Sequence, residues 1–298
     1  MPDYAIEVID LTKKYGDIVA LKGISFTVYQ GETFSLIGPN GSGKTTTVEI
    51  LECIRTPTSG EARVLGFDVL KEDKEIKKRI GVLPQEFEAF DRLTVEENIR
   101  VIEKIYGVKA DIRSLLEEFG LWELRKRKYG TLSGGQKRKV GICMAIVNDP
   151  EIVFLDEPTT GLDPKAREEC WNALERLNKM GKTVFLTSHY MEEVERLSDR
   201  VAIIVKGKIL DVGNVKELIS KYGGGIKVIV KGNVDFEADK IYKSGKETIG
   251  VFKSREKALK IITELFEKGY EFEIKEPSLE DVFLHIAKGR ISEEGELI

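Results

Sequence analysis

The stretch Leu36-Ile37-Gly38-Pro39-Asn40-Gly41-Ser42-Gly43-Lys44-Thr45-Thr46 carries the spacing G-x-x-x-x-G-K-[ST]. Its glycines let the backbone turn N–H groups inward into a concave anion nest. Lys44 stands where it reaches β- and γ-phosphates, and the Thr45 hydroxyl where it holds Mg²⁺. Residues 33–37 form a short apolar strand pattern, and Thr46 onward reads as a helix. A helix starting there aims the positive end of its dipole at bound phosphate. A plain glycine-rich turn explains the glycines but not Lys-Thr at that offset. The stretch predicts a nucleoside triphosphate site in an α/β fold.

The rest of the composition narrows what surrounds that site. A length of 298 residues with 41% hydrophobic residues supports two domains, or one large domain with an attachment. A net charge of −4 argues against a nucleic-acid-binding face as the main business. Cys53, Cys143 and Cys170 are far apart and never C-x-x-C, so neither a disulfide framework nor a zinc site follows. Met1-Pro2-Asp3-Tyr4 lacks the basic and apolar regions of a signal peptide. No apolar run reaches the roughly 20 residues that span a bilayer. The expectation is a soluble chain in a reducing cytosol, needing a partner for any membrane role.

Residues 4–10 and 24–29 alternate as half-buried antiparallel strands do, with a turn at 11–17 that exposes Tyr15. A tyrosine there can stack on a base or pack a strand edge. From Gln85 to about residue 145 the periodicity is helical. Leu132-Ser133-Gly134-Gly135-Gln136 then precedes a helix at 137–148, forming a second potential anion site. Glu151-Ile152-Val153-Phe154-Leu155 is nearly all apolar, typical of a strand buried on both faces, and ends in Asp156-Glu157-Pro158. Carboxylates at the carboxyl end of such a strand sit where α/β sheets bind ligands. Asp156 is placed to hold Mg²⁺ and Glu157 to orient or deprotonate the attacking water. A further buried strand, 182–188, ends at His189.

Taken together and in order, these motifs resemble the ATP-binding subunits of ATP-binding cassette (ABC) transporters over roughly residues 4–220. Leu132-Ser133-Gly134-Gly135-Gln136 resembles the ABC signature, 38–45 the Walker A loop and 152–157 the Walker B strand with its catalytic glutamate. Gln85 falls at the Q-loop, 161–163 at the D-loop, His189 at the switch histidine and Tyr15 at the adenine-stacking aromatic. The resemblance implies a catalytic set of Glu157, His189 and Gln85. It implies ATP contacts from Tyr15, Gly38, Pro39, Asn40, Gly41, Ser42, Gly43, Lys44, Thr45 and Thr46. Ser133, Gly134, Gly135 and Gln136 would contact the ATP held by a second copy, in a head-to-tail dimer. Mg²⁺ would be held by Thr45, Gln85 and Asp156.

The fold so implied is α/β: a phosphate-loop ABC ATPase domain over 1–222. It comprises a mixed β core, an antiparallel β subdomain and an inserted helical subdomain at about 86–148. A small C-terminal α+β domain is expected over 223–288, with strands at 226–231, 247–252 and 270–275 and helices at 255–268 and 278–288. Residues 289–298 are expected to form a tail. Glu276-Pro277-Ser278-Leu279-Glu280-Asp281-Val282-Phe283 resembles the C-terminal signature of ABC-2-type exporter ATPases. It implies a partner, a polytopic membrane permease with no ATPase of its own near residues 86–98, and a place on the inner face of the cell membrane. The rival readings are a soluble ABC ATPase acting on ribosomes or DNA and an importer ATPase. The first usually carries paired cassettes or a long coiled-coil insertion, and neither is present here.

Overall fold

In the computed structural model the described residues are 4–288, so the expected tail at 289–298 lies outside them. The chain divides into two compact units that part between Val212 and Gly213.

The first unit carries two sheets. Strands β1 (Tyr4–Tyr15), β2 (Ile18–Tyr29), β4 (Ser59–Val64) and β5 (Phe67–Asp68) form an antiparallel sheet in the order β2-β1-β4-β5. The segment expected as a turn at 11–17 is mostly strand, with the reversal confined to Gly16-Asp17. Register shifts after Val8 and after Leu11 break the alternation there, which is why the period-2 pattern is lost.

Strands β3 (Thr33–Ile37), β6 (Ile80–Leu83), β7 (Ile152–Asp156), β8 (Thr183–Ser188), β9 (Arg200–Val205) and β10 (Lys208–Asn214) form the second sheet, in the order β10-β9-β3-β8-β7-β6. The run from β9 to β6 is parallel. Every residue of β3, β7 and β8 is buried, as expected for strands covered on both faces. Phe34, Phe154 and Phe185 interlock at its centre, with Phe185 5.7 and 5.6 Å from the other two rings. Burying each such ring contributes about 1.5–3 kcal/mol.

The helices of this unit are α1 (Lys44–Leu51), α2 (Asp73–Arg79), α3 (Val95–Tyr106), α4 (Ile112–Glu118), α5 (Gly134–Ile146), α6 (Pro164–Lys179) and α7 (Met191–Leu197). Their starts follow local chemistry. Thr94 and Glu97 form a capping box ahead of α3, and Asp163 caps α6 with Pro164 at its first position. Helices α3 to α5 gather around Ile99, Leu116, Leu121 and Tyr129, within the span of about 86–148 read as helical from the sequence. Buried Asn98 fastens the loop between β6 and α3: its Nδ2 donates to the carbonyls of Phe90, Leu93 and Thr94, and its Oδ1 accepts from the Phe90 N–H.

The second unit holds α8 (Val215–Tyr222), β11 (Ile226–Lys231), β12 (Lys240–Ser244), β13 (Glu247–Phe252), α9 (Arg255–Glu267), β14 (Phe272–Lys275) and α10 (Leu279–Lys288). Its sheet runs β12-β13-β11-β14, all antiparallel. The sequence places the domain boundary at 222/223; the structure sets it ten residues earlier, because α8 packs on α10 within the second unit. As the sequence anticipates, Ser278 and Asp281 cap α10 reciprocally, with Asp281 N–H donating to Ser278 Oγ at 3.3 Å and Ser278 N–H to Asp281 Oδ2 at 3.2 Å.

Candidate functional site

The loop between β3 and α1 is shaped by close approach. A Cβ on Gly38 would lie 2.0 Å from the Ile204 carbonyl oxygen, and Gly43 sits at φ 110° with a Cβ position 2.7 Å from Leu21 Cδ2. Only glycine fits either place. The N-terminal N–H groups of α1 therefore open at the carboxyl end of β3. Lys44 is buried; its Nζ donates to the carbonyls of Gly38 at 2.9 Å and Pro39 at 3.3 Å, and lies 3.7 Å from Glu157 Oε1. Burial pushes the Lys44 amine below the usual lysine range, and the nearby Glu157 and Asp156 carboxylates oppose that shift. Ser42 Oγ is buried in the same loop and has no hydrogen-bond partner among the described residues.

Across the sheet, β7 delivers two adjacent carboxylates. Asp156 Oδ1 accepts from Thr187 Oγ1, in register on β8. Burial raises the Asp156 carboxyl above the usual range, with the Thr187 hydrogen bond working against it. Glu157 takes a left-handed backbone, φ 43°, held by its N–H donating to both the carbonyl and Oγ1 of Thr187 at 3.1 Å. A non-glycine residue in this region costs of order 1 kcal/mol or more and persists only where its surroundings fix it. Its Oε2 accepts from Gln85 Nε2 at 3.3 Å and Thr160 Oγ1 at 3.2 Å, and His189 Nδ1 lies 3.2 Å away. At the far end of α1, burial, reinforced by repulsion from Asp156 and Glu49, pushes the Glu52 carboxyl up to about 8.

Lys44, Thr45, Gln85, Glu157, Thr160 and His189 all border one cleft of ≈ 610 Å³, together with Asn40, Gly41, Gly43 and Thr46. That volume lies in the range of small-ligand sites. A phosphate cradle, a cation and a carboxylate holding polar donors can bind a phosphate ester and manage a proton beside it. Thr45, Gln85 and Asp156 offer oxygen donors only, the set preferred by a hard divalent cation. Among the described residues no His, Cys, Asp and Glu cluster has the form of a softer metal centre. A larger cleft of ≈ 1130 Å³ lies wholly in the second unit, beside Tyr222, Lys253 and His285; it is lined by Gly223, Gly224 and Gly225 but has no Gly-Lys-Thr run opening a helix.

Of the predicted residues, Gly38, Pro39, Ser42 and Asp156 belong to the same loop and strand end as lining residues without bordering the cleft themselves, and two further groups stand apart from it. Ser133 caps α5, accepting from Gln136 N–H at 3.4 Å, while Gln136 Oε1 accepts from Ser133 N–H at 3.1 Å. Gly134 and Gly135 pack against Leu162 and Ala166, with 3.0 Å left between a Gly135 Cβ and that of Ala166. None of these four residues borders the cleft. Tyr15 is also outside it, 38% exposed, with Lys13 Nζ 5.1 Å and Arg55 Cζ 5.5 Å from its ring centroid.

Sequence reading missed Thr160, Thr187 and Arg138. Thr187 carried a signal, as a polar residue closing an apolar strand beside His189. Arg138 carried none, lying in a run of Lys and Arg that reads as an exposed helix face; it is buried, and donates to the backbone of Pro84, Gln85 and Asp156.

The ABC transporter family profile matches residues 21–160. The linearmycin resistance ATP-binding protein LnrL of Bacillus subtilis is 40% identical over 230 residues, covering 75% of this chain and 74% of that protein. The Nod factor export ATP-binding protein I of Rhizobium meliloti is 38% identical over 299 residues, covering 96% and 88%. A solved ATP-binding cassette, a dimer in a post-hydrolysis state bound to ADP and Pi, aligns with TM-score 0.62 and 29% identity, over 70% of this chain and 98% of that one. A phosphate loop after β3 and a carboxylate at the end of β7, two strands along the same parallel sheet, agree with relatives of which one runs through both units: the chain belongs to the ATP-binding subunits of ABC transporters and is an ATPase, related to those of ABC-2-type exporters.

Proposed function

We propose that this ATPase hydrolyses ATP in a head-to-tail dimer of two copies and so powers export through a separate membrane permease. The observation that carries the chemistry is the convergence of Lys44, Gln85, Thr160 and His189 on the Glu157 carboxylate. In this reading the N–H groups of residues 41–46 receive the phosphates, and Lys44 turns from the Gly38 and Pro39 carbonyls to the β- and γ-phosphate oxygens. Glu157 takes a proton from the attacking water as the water oxygen bonds to the γ-phosphorus and the bond to the β-phosphate oxygen breaks. Gln85 and His189 orient Glu157 and that water. Thr45, Gln85 and Asp156 would hold Mg²⁺, which when bound offsets negative charge on the phosphates.

Ser133 and Gly134 are exposed at a helix start outside the cleft, with Gly135 buried behind them, which suits a γ-phosphate presented by the second copy. Export is supported by the Nod factor export protein, whose alignment runs through the C-terminal unit as well as the cassette. No helix among the described residues is long and apolar enough to cross a membrane; in this reading the permease is a separate chain that holds this one at the inner face. Affinity purification from the native membrane is expected to bring down a polytopic protein whose presence raises ATP turnover. Recovery with ribosomes or nucleic acid, and no such protein, would contradict the export role.

Tyr15 provides an independent check on the nucleotide pose. The cations of Lys13 and Arg55 hold its ring in place at the surface. Tyr15→Phe and Tyr15→Trp are expected to keep ATP affinity, whereas Tyr15→Ala loses around 1 kcal/mol of it. A fall in melting temperature with unchanged affinity would return Tyr15 to a packing role.

A further inference from the structure

Arg138 lies on α5, one turn beyond Ser133, and is 8% exposed. Its Nη1 donates to the carbonyl of Pro84 at 3.0 Å and of Gln85 at 3.3 Å, and its Nη2 to the carbonyl of Asp156 at 3.1 Å. Among the described residues its hydrogen bonds all go to backbone carbonyls, and its Nε has no hydrogen-bond partner. A buried guanidinium held only by carbonyls is a costly way to fill space, since a methionine of similar volume avoids the desolvation. What a methionine cannot do is hold three carbonyls with one planar fork.

Those three carbonyls belong to one working unit. The Gln85 side chain donates to Glu157 Oε2, so Arg138 grips the backbone of the donor. The peptide joining Asp156 to Glu157 is held from both sides: its carbonyl by Arg138, its N–H by Thr187. We infer that Arg138 is a positioning residue for the hydrolytic carboxylate of its own chain, fixing Gln85 and Glu157 relative to each other, although it rides on the helix that presents Ser133 to the second copy. The helix that closes over one nucleotide thereby also sets the water-side geometry at the other. This inference rests on the proposed roles of Glu157 and of the shared site.

The test uses Arg138→Met and Arg138→Lys in the full chain. Displacing a positioned catalytic group by about 1 Å can cost on the order of 10²-fold in rate. Arg138→Met is therefore expected to lose about that much kcat while its affinity for a non-hydrolysable ATP analogue stays within about twofold. Arg138→Lys, which restores part of the carbonyl contacts, is expected to recover part of the rate and serves should the methionine variant fold poorly. A parallel loss of affinity and melting temperature in both, with kcat per folded molecule unchanged, would overturn the assignment.

Mixing variants locates the defect. Arg138→Met mixed with Ser133→Arg should regain up to about a quarter of wild-type activity, because half the dimers then hold one of two sites intact. Mixed with Lys44→Ala it should regain nothing, since the intact phosphate loop and the displaced Glu157 share a chain. The opposite pattern would make Arg138 a support for the signature helix instead. Lys44→Ala mixed with Ser133→Arg is the control: its failure to recover would sink the shared site, and the kcat-against-affinity split would then decide Arg138 alone.

Discussion

Glu157→Gln is expected to bind ATP as the unaltered protein does and to hydrolyse it between about 10²- and 10⁴-fold more slowly, the range attributed to loss of a general base. The substitution keeps side-chain length, so the reach to Gln85, Thr160 and His189 is preserved. An amide cannot take the proton from water, and it removes a negative charge from beside the phosphates without touching the loop at 38–46. Binding and turnover should therefore separate. Equilibrium binding and single-turnover hydrolysis on one preparation check this, and near-normal turnover would remove Glu157 from the role.

Lys44→Ala is expected to fail one step earlier, at binding. The buried ammonium is the main positive charge beneath the loop, 3.7 Å from Glu157 and favoured by Asp156. Hydrogen bonds to charged groups contribute about 1.5–3 kcal/mol each, so ATP affinity should drop by roughly 10- to 100-fold or more. The alanine also leaves the two carboxylates without their shared counter-charge, which adds to the repulsion a polyphosphate meets. Unchanged affinity by calorimetry would contradict the assignment of Lys44.

The contrast between these two residues and Arg138 shows how far sequence reading reaches. Lys44, Glu157 and the loop glycines are legible because phosphate binding demands those types at fixed spacing beside strands that are apolar throughout. Helix starts were legible for the same local reason, as at Ser278 with Asp281. Strand β12 was not: all five of its residues are exposed, so no buried face marks it, and it stands at the sheet edge against β13 alone. Nor was the start of the second unit, which depends on where α8 packs rather than on composition. Asn98 and Arg138 are polar residues whose partners are backbone carbonyls 4–8 and 18–54 residues away, and carbonyls have no sequence signature. The convergence of Gln85, Glu157 and His189 was expected from family resemblance, but the left-handed turn and Thr187 bonds that hold Glu157 there emerge only in three dimensions.

The shared site is the claim on which the rest turns, and the stalled enzyme gives the most direct access to it. With hydrolysis blocked, Glu157→Gln should accumulate as an ATP-bound dimer, seen by gel filtration or light scattering. Ser133 is exposed, does not line its own chain's cleft, and caps α5 through Gln136. Losing that cap costs about 1 kcal/mol, which a folded cassette tolerates. An arginine in its place should block approach of the second copy while leaving the chain's own phosphate loop intact. The measurement is ATP-dependent dimerisation of Glu157→Gln with and without Ser133→Arg, at equal ATP occupancy. The account predicts a dimer in the first protein and an ATP-bound monomer in the second; a dimer of unchanged strength in both would contradict it.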